Sequence, residues 1–380
     1  MKVLAIFVFF VTFYKISIIS PKLYLSIFVS FFGLFFVIKY SKAFFCSIGL
    51  KVICVFLAIV VFSLAVDMVT GALLNNFFNS FFVRAISIFF ISAVPAFFVV
   101  VYLLKYDYDS VLDTVAVSFW IQLCFWVITY FDPTLKVYFV KLMGGGENSV
   151  NLKSHNLEVR GFGISNEINF TSPFVSVLVC LLLLRRNVIS LSTSLTQLVN
   201  SNLVVFAVVI GLLFSKISNL RKLLVGCLFF LATYFLYLFG EEFFPRLFAE
   251  FGSGQSRTVK VLFEDHLFYL NNSVWGHLFG EGIYVFLGEL DHYSDVGWVH
   301  IYNYGGVFFT VLYVLFLAFL CFSAFGKSWL SVAWFGAGLI LNAKGLLFSP
   351  NAFFFVIFIF IFVNYGQRVK SAKIRWIRET

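Results

Sequence analysis

Two stretches of the chain gather the residue types that polar chemistry needs. In "EVRGFGISNEINF", Arg160 precedes Gly161 and Gly163, and Glu167 follows. A guanidinium fork can grip a phosphate or carboxylate through parallel hydrogen bonds, and glycines permit a tight turn beside it. In the second stretch, Arg257 follows a Gly/Ser turn in "GSGQSRTVK", and "LFGEGIY" holds Glu281 between two glycines. Then "HYSDVGWVHIYNYGGVFF" sets Ser294, Asp295, Trp298 and His300 at the mouth of an apolar run. The two arginines are anion-binding groups, while Asp295, Glu167, His300 and Glu281 are of the types that accept a proton. Arg160 and Glu167 are equally the residues of an ordinary membrane interface, paired or solvated. The GEG turn lacks the Lys-Ser/Thr ending and the strand–helix setting of a phosphate loop. His155, His266, His277, His292 and His300 make no HExxH or i, i+4 pair, so no metal site is expected. No Ser-His-Asp order suggests a triad.

The elements that must position these residues are membrane helices. The chain has 380 residues, of which 61% are hydrophobic and 12% charged, with 56 phenylalanines. A soluble domain carries about 25% charged residues, and stretches near the length of a bilayer-spanning helix recur here. A polytopic, all-α integral membrane protein is expected. The first apolar run, after Met1-Lys2, has no small-residue cleavage site and reads as a retained anchor. The net charge of +9 does not indicate nucleic acid, because the basic residues sit in short loops and in the tail. The six cysteines (46, 54, 124, 180, 227 and 321) lie in or beside apolar segments, where they read as packing residues rather than a disulfide or metal framework.

Clear spans fall near 3–20, 22–38, 51–66, 80–104, 112–131, 171–184, 202–214, 222–239, 301–324, 329–346 and 352–365. Lys and Arg mark cytoplasmic ends, here at Lys39, Lys42, Lys51, Lys105, Arg185, Arg186, Lys216, Arg221, Lys222, Lys327 and in the tail "QRVKSAKIRWIRET". Both termini then read as cytoplasmic, which requires an even number of crossings. The polar stretch 187–202 supplies a twelfth span if its Ser and Thr are buried against other helices; a re-entrant segment is the alternative. About 12 transmembrane helices, 11 of them clear, are expected, in five segments: 1–142, a loop 143–170, 171–239, a loop 240–300, and 301–380. Both loops then fall on the external face. They hold all five histidines and 12 of the 18 acidic residues, but only five of the 27 basic ones, as translocated loops do. Lys344, in "LNAKGLLFSP", lies in an apolar run, and Arg84 lies near the outer start of one. Intramembrane charge is a functional candidate, and snorkelling to the surface is the alternative for both.

The order of these motifs, "RGFGISNE" ahead of one span, then an early Arg, "LFGEGIY" and "SDVGWVHIYNYGGVFFTVLYV" entering another, resembles the O-antigen polymerase (Wzy-type) family. That family is related to the O-antigen ligases and is placed among GT-C membrane glycosyltransferases. The specific part of the resemblance lies in the two loops. It implies a GT-C-like fold with two large periplasmic loops in the bacterial inner membrane. It also implies joining of oligosaccharide repeat units carried on undecaprenyl diphosphate, with one lipid-linked unit as donor and another as acceptor. A chain-length regulator and a flippase of the same pathway are the implied partners. The family's loop arginines would match Arg160 and Arg257. Where the related ligases carry a His-Asn pair, this sequence has Ser294-Asp295, which favours polymerase over ligase. Departure of a diphosphate calls for cations on the developing charge, and Arg160 and Arg257 are of that kind. Asp295 is the first choice as base, then Glu167; His300, Glu281, Trp298 and Lys344 are expected on the substrate. The donor is already activated, so neither cofactor nor metal is expected. A flippase or other transporter would instead place charges inside spans and show related halves, and a scaffold would tolerate loss of Arg257.

Overall fold

The structure, a computed structural model, describes residues 1–17, 24–75, 77–142, 163–166, 170–184, 187–215, 218–239, 266–285 and 294–379. Among them the regular structure is helical, and the one extended pairing is a bridge between Ser17 and Tyr24. The helices are α1 (Lys2–Phe13), α2 (Leu25–Lys39), α3 (Ser41–Ile48), α4 (Leu50–Val69), α5 (Phe81–Leu103), α6 (Tyr108–Phe131), α7 (Pro133–Leu142), α8 (Thr171–Leu184), α9 (Asn187–Asn200), α10 (Val204–Phe214), α11 (Asn219–Phe239), α12 (Val274–Phe279), α13 (Gly297–Phe325), α14 (Trp329–Lys344) and α15 (Ala352–Glu379).

In hydrocarbon a segment must satisfy its own backbone, which is why these apolar runs are helices. Among the described residues, α4, α5, α6, α13 and the 352–370 part of α15 are long and apolar enough to cross a bilayer. These helices make the chain a membrane-embedded protein. The predicted span 22–38 ends in a 98° bend between α2 and α3, and the pair together would make a sixth crossing. The runs at 3–20, 171–184 and 202–214 give the shorter helices α1, α8 and α10. The polar α9 rises only about 21 Å at roughly 1.5 Å per residue, short of a hydrocarbon core about 30 Å thick.

The chain forms two compact units, each discontinuous in sequence: Met1–Val29 with Tyr108–Thr258, and Ser30–Asp107 with Val259–Thr380. In the first, α8 is buried along its whole length. Phe13 and Phe9 of α1, with Tyr14, surround Phe119 of α6 at ring separations of 5.3, 6.4 and 6.5 Å. A Cβ on Gly211 of α10 would stand 2.5 Å from Leu181, so it is the missing side chain that lets α8 and α10 touch. The polar face of α9 is turned inward: Thr193, Ser194, Gln197 and Asn200 are buried. Ser190 Oγ donates to the Cys180 carbonyl at 3.1 Å, and Trp126 Nε1 of α6 donates to Asn200 Oδ1 at 3.4 Å.

In the second unit, residues 352–363 of α15 are buried throughout and form the centre. α13 packs against α4, α14 and α15. Along α4 and α13, Phe56 meets Phe316 at 5.9 Å and Phe62 meets Phe309 at 5.5 Å, so the two helices run antiparallel. Cys180 and Cys321 are buried in α8 and α13, and the other four cysteines are exposed on helix sides.

Candidate functional site

The run entered by "SDVGWVHIYNYGG" is not one rod. At Gly306 the backbone takes φ 61°, ψ −159°, and residues 297–305 turn aside from 307–325. An unbroken helix would separate Trp298 from Tyr313 by about 22 Å along its axis. Their rings lie 6.0 Å apart, and Trp298 Nε1 donates to the Leu339 carbonyl of α14 at 3.2 Å. At the break, the carbonyls of Asn303 and Tyr304 accept from the GEG turn. Gly282 N donates to Tyr304 O at 3.0 Å, and Glu281 N and Ile283 N each donate to Asn303 O at 3.4 Å. A Cβ on Gly280 would stand 2.2 Å from Tyr304 O, and one on Gly306 would stand 2.6 Å from Gly280 N. The glycine pair of the GEG turn and the Gly305-Gly306 pair of α13 therefore form one backbone-to-backbone joint. Asn303 extends it: its Oδ1 accepts from Leu270 N at 2.8 Å and its Nδ2 donates to Val299 O at 2.9 Å.

Behind the joint lies Asp67, fully buried near the end of α4. Its Oδ1 accepts from the hydroxyls of Tyr284, which follows the GEG turn, and of Tyr304, the latter at 2.8 Å. Its Oδ2 accepts from Phe82 N at 2.9 Å. Tyr284 Oη accepts from Phe81 N at 3.2 Å, and Ser80 Oγ accepts from Val83 N at 3.2 Å. The first three amides of α5 are thus each capped, two of them by residues distant in sequence, as a helix start away from water requires. The carboxylate at the positive end of α5 is also favourable electrostatically. Burial, and then the Asp67 carboxylate, push the Tyr284 phenol above its ordinary range, so it remains a donor.

In front of the joint two carboxylates are exposed. Glu281 Oε1 accepts from Asn272 N at 3.2 Å and from Ser273 Oγ at 3.4 Å. Asp295 is exposed at the start of α13, and its amide donates to His266 Nδ1 at 3.4 Å. Ser294 Oγ donates to the His266 carbonyl at 2.7 Å. His300 is buried, with Nε2 2.7 Å from the Ser294 carbonyl, which makes Nε2 the protonated nitrogen. It braces the Ser294-Asp295 corner from inside. Trp298 is also a support rather than an exposed platform: with Phe268 and Ile283 it packs on buried Val285, Val296 and Val299. Lys344 is half-buried at the last residue of α14. Arg84 donates through Nε to the Asn79 carbonyl at 3.0 Å.

In the first unit, the "GISN" part of the first motif is inserted among helices. Gly163, at φ 56°, donates through its amide to Thr129 Oγ1 of α6 at 2.8 Å, and Ile164 N donates to Gln122 Oε1 at 3.2 Å. Asn166 N donates to Tyr14 O at 3.2 Å, and Asn166 Nδ2 donates to Lys15 O at 2.9 Å and to the Ser17 hydroxyl. A Cβ on Gly163 would stand 2.4 Å from the Gln122 amide nitrogen, so a side chain there would displace the Gln122 amide, and the positive φ itself favours glycine. Gln122→Leu strips Ile164 N of its acceptor. We expect a stability loss of about 1–3 kcal/mol, read from thermal unfolding of the purified chain in detergent; an unchanged transition would mean that the segment is held without Gln122.

Of the sequence-predicted site residues, the structure brings Glu281, Asp295, His300 and Trp298 onto the elements around the broken helix. Arg160, Glu167 and Arg257 lie outside the described residues. Sequence reasoning missed Asp67, Gln122 and Asn303. Each is a polar residue in or at the edge of an apolar run, the signal that could have found it. Among the described residues no group of three or more His, Cys, Asp or Glu is gathered as a metal would need. Fold and site, among the described residues, define a helical membrane protein with a discontinuous helix flanked by exposed carboxylates. No protein-family model, curated protein or solved structure matches the chain.

Proposed function

We propose that the chain is a membrane glycosyltransferase that polymerises lipid-diphosphate-linked oligosaccharide units into O-antigen or a related surface polysaccharide. In this reading it crosses the bacterial inner membrane about twelve times in a GT-C-like arrangement, with both termini cytoplasmic and the two loops periplasmic. The observation that carries the reading is the joint between the GEG turn and the broken helix. It holds Glu281 on a backbone fixed by its own hydrogen bonds, and the Asp295 corner is braced by His266 and His300. Such fixation is what a transfer site needs.

The chemistry follows from the groups. A hydroxyl of the acceptor sugar attacks the anomeric carbon of the donor, and the bond from that carbon to the diphosphate oxygen breaks. The diphosphate leaves with the electron pair, met by Arg160 and Arg257. The hydroxyl proton passes to Asp295, which is exposed and so open to the glycan of a lipid-linked acceptor. Glu167 is the second choice as base. In this reading Glu281 and Lys344 meet sugar or phosphate oxygens, while His300 and Trp298 act through the backbone they brace.

The test is the size distribution of surface polysaccharide on a gel, in a deletion strain complemented with wild type, Asp295→Asn or Arg257→Ala. The expected result is a ladder collapsed to core plus one unit, restored by wild type alone, with each variant reduced by about 100-fold or more in transfer rate. Core bearing no repeat unit would point to a ligase or flippase. An unchanged ladder in the deletion would end the reading.

A further inference from the structure

Beyond that reading, we infer that α12 lies in the headgroup zone of the bilayer with its apolar face seated in lipid, so that the GEG turn is held at the membrane surface. α12 is two-sided. Val274, Trp275, Leu278 and Phe279 pair at i, i+4 on one face, and Trp275 is 71% exposed. On the other side Gly276 lies against Glu281, and His277 Nδ1 is 2.8 Å from Tyr302 Oη. A short helix with an exposed Trp/Phe/Leu face and a polar edge is suited to the boundary between lipid and water.

Its depth follows from α13. Residues 307–325 contain no charge and rise about 28 Å at roughly 1.5 Å per residue, close to the hydrocarbon thickness of about 30 Å. Exposed side chains on α13 begin at Val307 and Phe308 and continue through Val311 and Leu315, whereas residues 297–306 expose none. The break at Gly306 therefore coincides with the bilayer boundary, and α12 is fastened there by the contacts of Gly280 with Tyr304 and Gly305. The apolar surface is also continuous. Trp275 stacks on Phe279 at 6.1 Å, Phe279 meets Phe308 at 5.8 Å, and Phe308 meets Phe62 of α4 at 5.4 Å. The exposed face of α12 thus prolongs the lipid-facing flank of α13, and lipid is the occupant that already covers that flank.

Tryptophan quenching in vesicles tests the inference without reference to activity. The full-length chain is reconstituted in phosphatidylcholine brominated either near the top of the acyl chain or near its end. The contribution of Trp275, one of seven tryptophans, is obtained by subtracting the Trp275→Phe variant. Trp298→Phe, which reports a partly buried ring packed on Tyr313 and hydrogen-bonded to the Leu339 carbonyl, serves as a control for a ring held by protein. We expect the Trp275 component to lose most of its emission to shallow bromine, less to deep bromine, and almost none to aqueous iodide. Quenching by iodide alone would place the face in water and overturn the inference. Stronger quenching by deep bromine would move the break away from the boundary and overturn it as well. A component reached by neither quencher would mean that protein covers the face, and the inference would fall on that outcome too.

Discussion

Gly280→Ala is expected to destabilise the chain by about 3 kcal/mol or more and to abolish function. The new Cβ would sit 2.2 Å from Tyr304 O and 2.4 Å from Gly305 Cα, both backbone atoms that no side-chain rotation can clear. Overpacking of that kind costs about 1–3 kcal/mol. Gly280 also has φ 78° and ψ 167°, a region essentially reserved for glycine, where a side chain costs about 1–3 kcal/mol. Relief requires the turn to lift off, which breaks the bonds from Glu281, Gly282 and Ile283 to the broken helix. Gly336→Ala in α14 is the control, because nothing lies within 4 Å of a Cβ there. It should be neutral or slightly stabilising, since alanine is about 1 kcal/mol better than glycine in a helix. The measurement is thermal unfolding of both purified variants in one detergent. Equal transitions would show that the turn and the broken helix are not in backbone contact.

The second large effect is expected at Asp67. Asp67→Leu leaves the Phe82 amide without its acceptor and takes the carboxylate from the Tyr284 hydroxyl, while Tyr304 keeps the Ser63 carbonyl at 3.0 Å. A buried amide left unpaired costs about 1–3 kcal/mol, and a hydrogen bond to a charged group contributes about 1.5–3 kcal/mol, so a loss of about 3 kcal/mol is expected. Asp67→Asn should be milder: its oxygen still serves one side, but its NH2 faces the amide of Phe82 or a tyrosine hydroxyl. The order wild type, Asn, Leu in thermal stability is the signature of an acceptor role. Equal stability of the Leu variant and wild type would rule that role out.

Much of the helical framework was legible. Runs such as 51–66, 80–104 and 112–131 contain too little charge to be anything but membrane helices, and the structure has α4, α5 and α6 there. The glycines of "LFGEGIY" were legible as a turn, whereas those of "YNYGGVFF" fall within the unbroken span expected over 301–324. Their mutual docking was not legible, because nothing in a spacing along the chain gives the register in which Gly282 meets Tyr304. The Gly305-Gly306 pair is itself the signal of a break, and without it His300 and Trp298 read as facing outward at a helix mouth. Asp67 was hidden for a different reason. A carboxylate just after an apolar run looks like the run's end, and only Tyr284 and Tyr304, 217 and 237 residues further on, make burial tolerable.

The capping of α5 has a consequence for biogenesis. The acceptor of its first amide, Tyr284, is made 203 residues after Phe81. At about 5–20 residues per second, that is a delay of roughly 10–40 s. Throughout that interval the nascent helix starts with an amide that must borrow water or a lipid headgroup as its partner. The beginning of α5 is therefore finished late, and a chain stalled before Tyr284 would present quality-control proteases with an incomplete helix end.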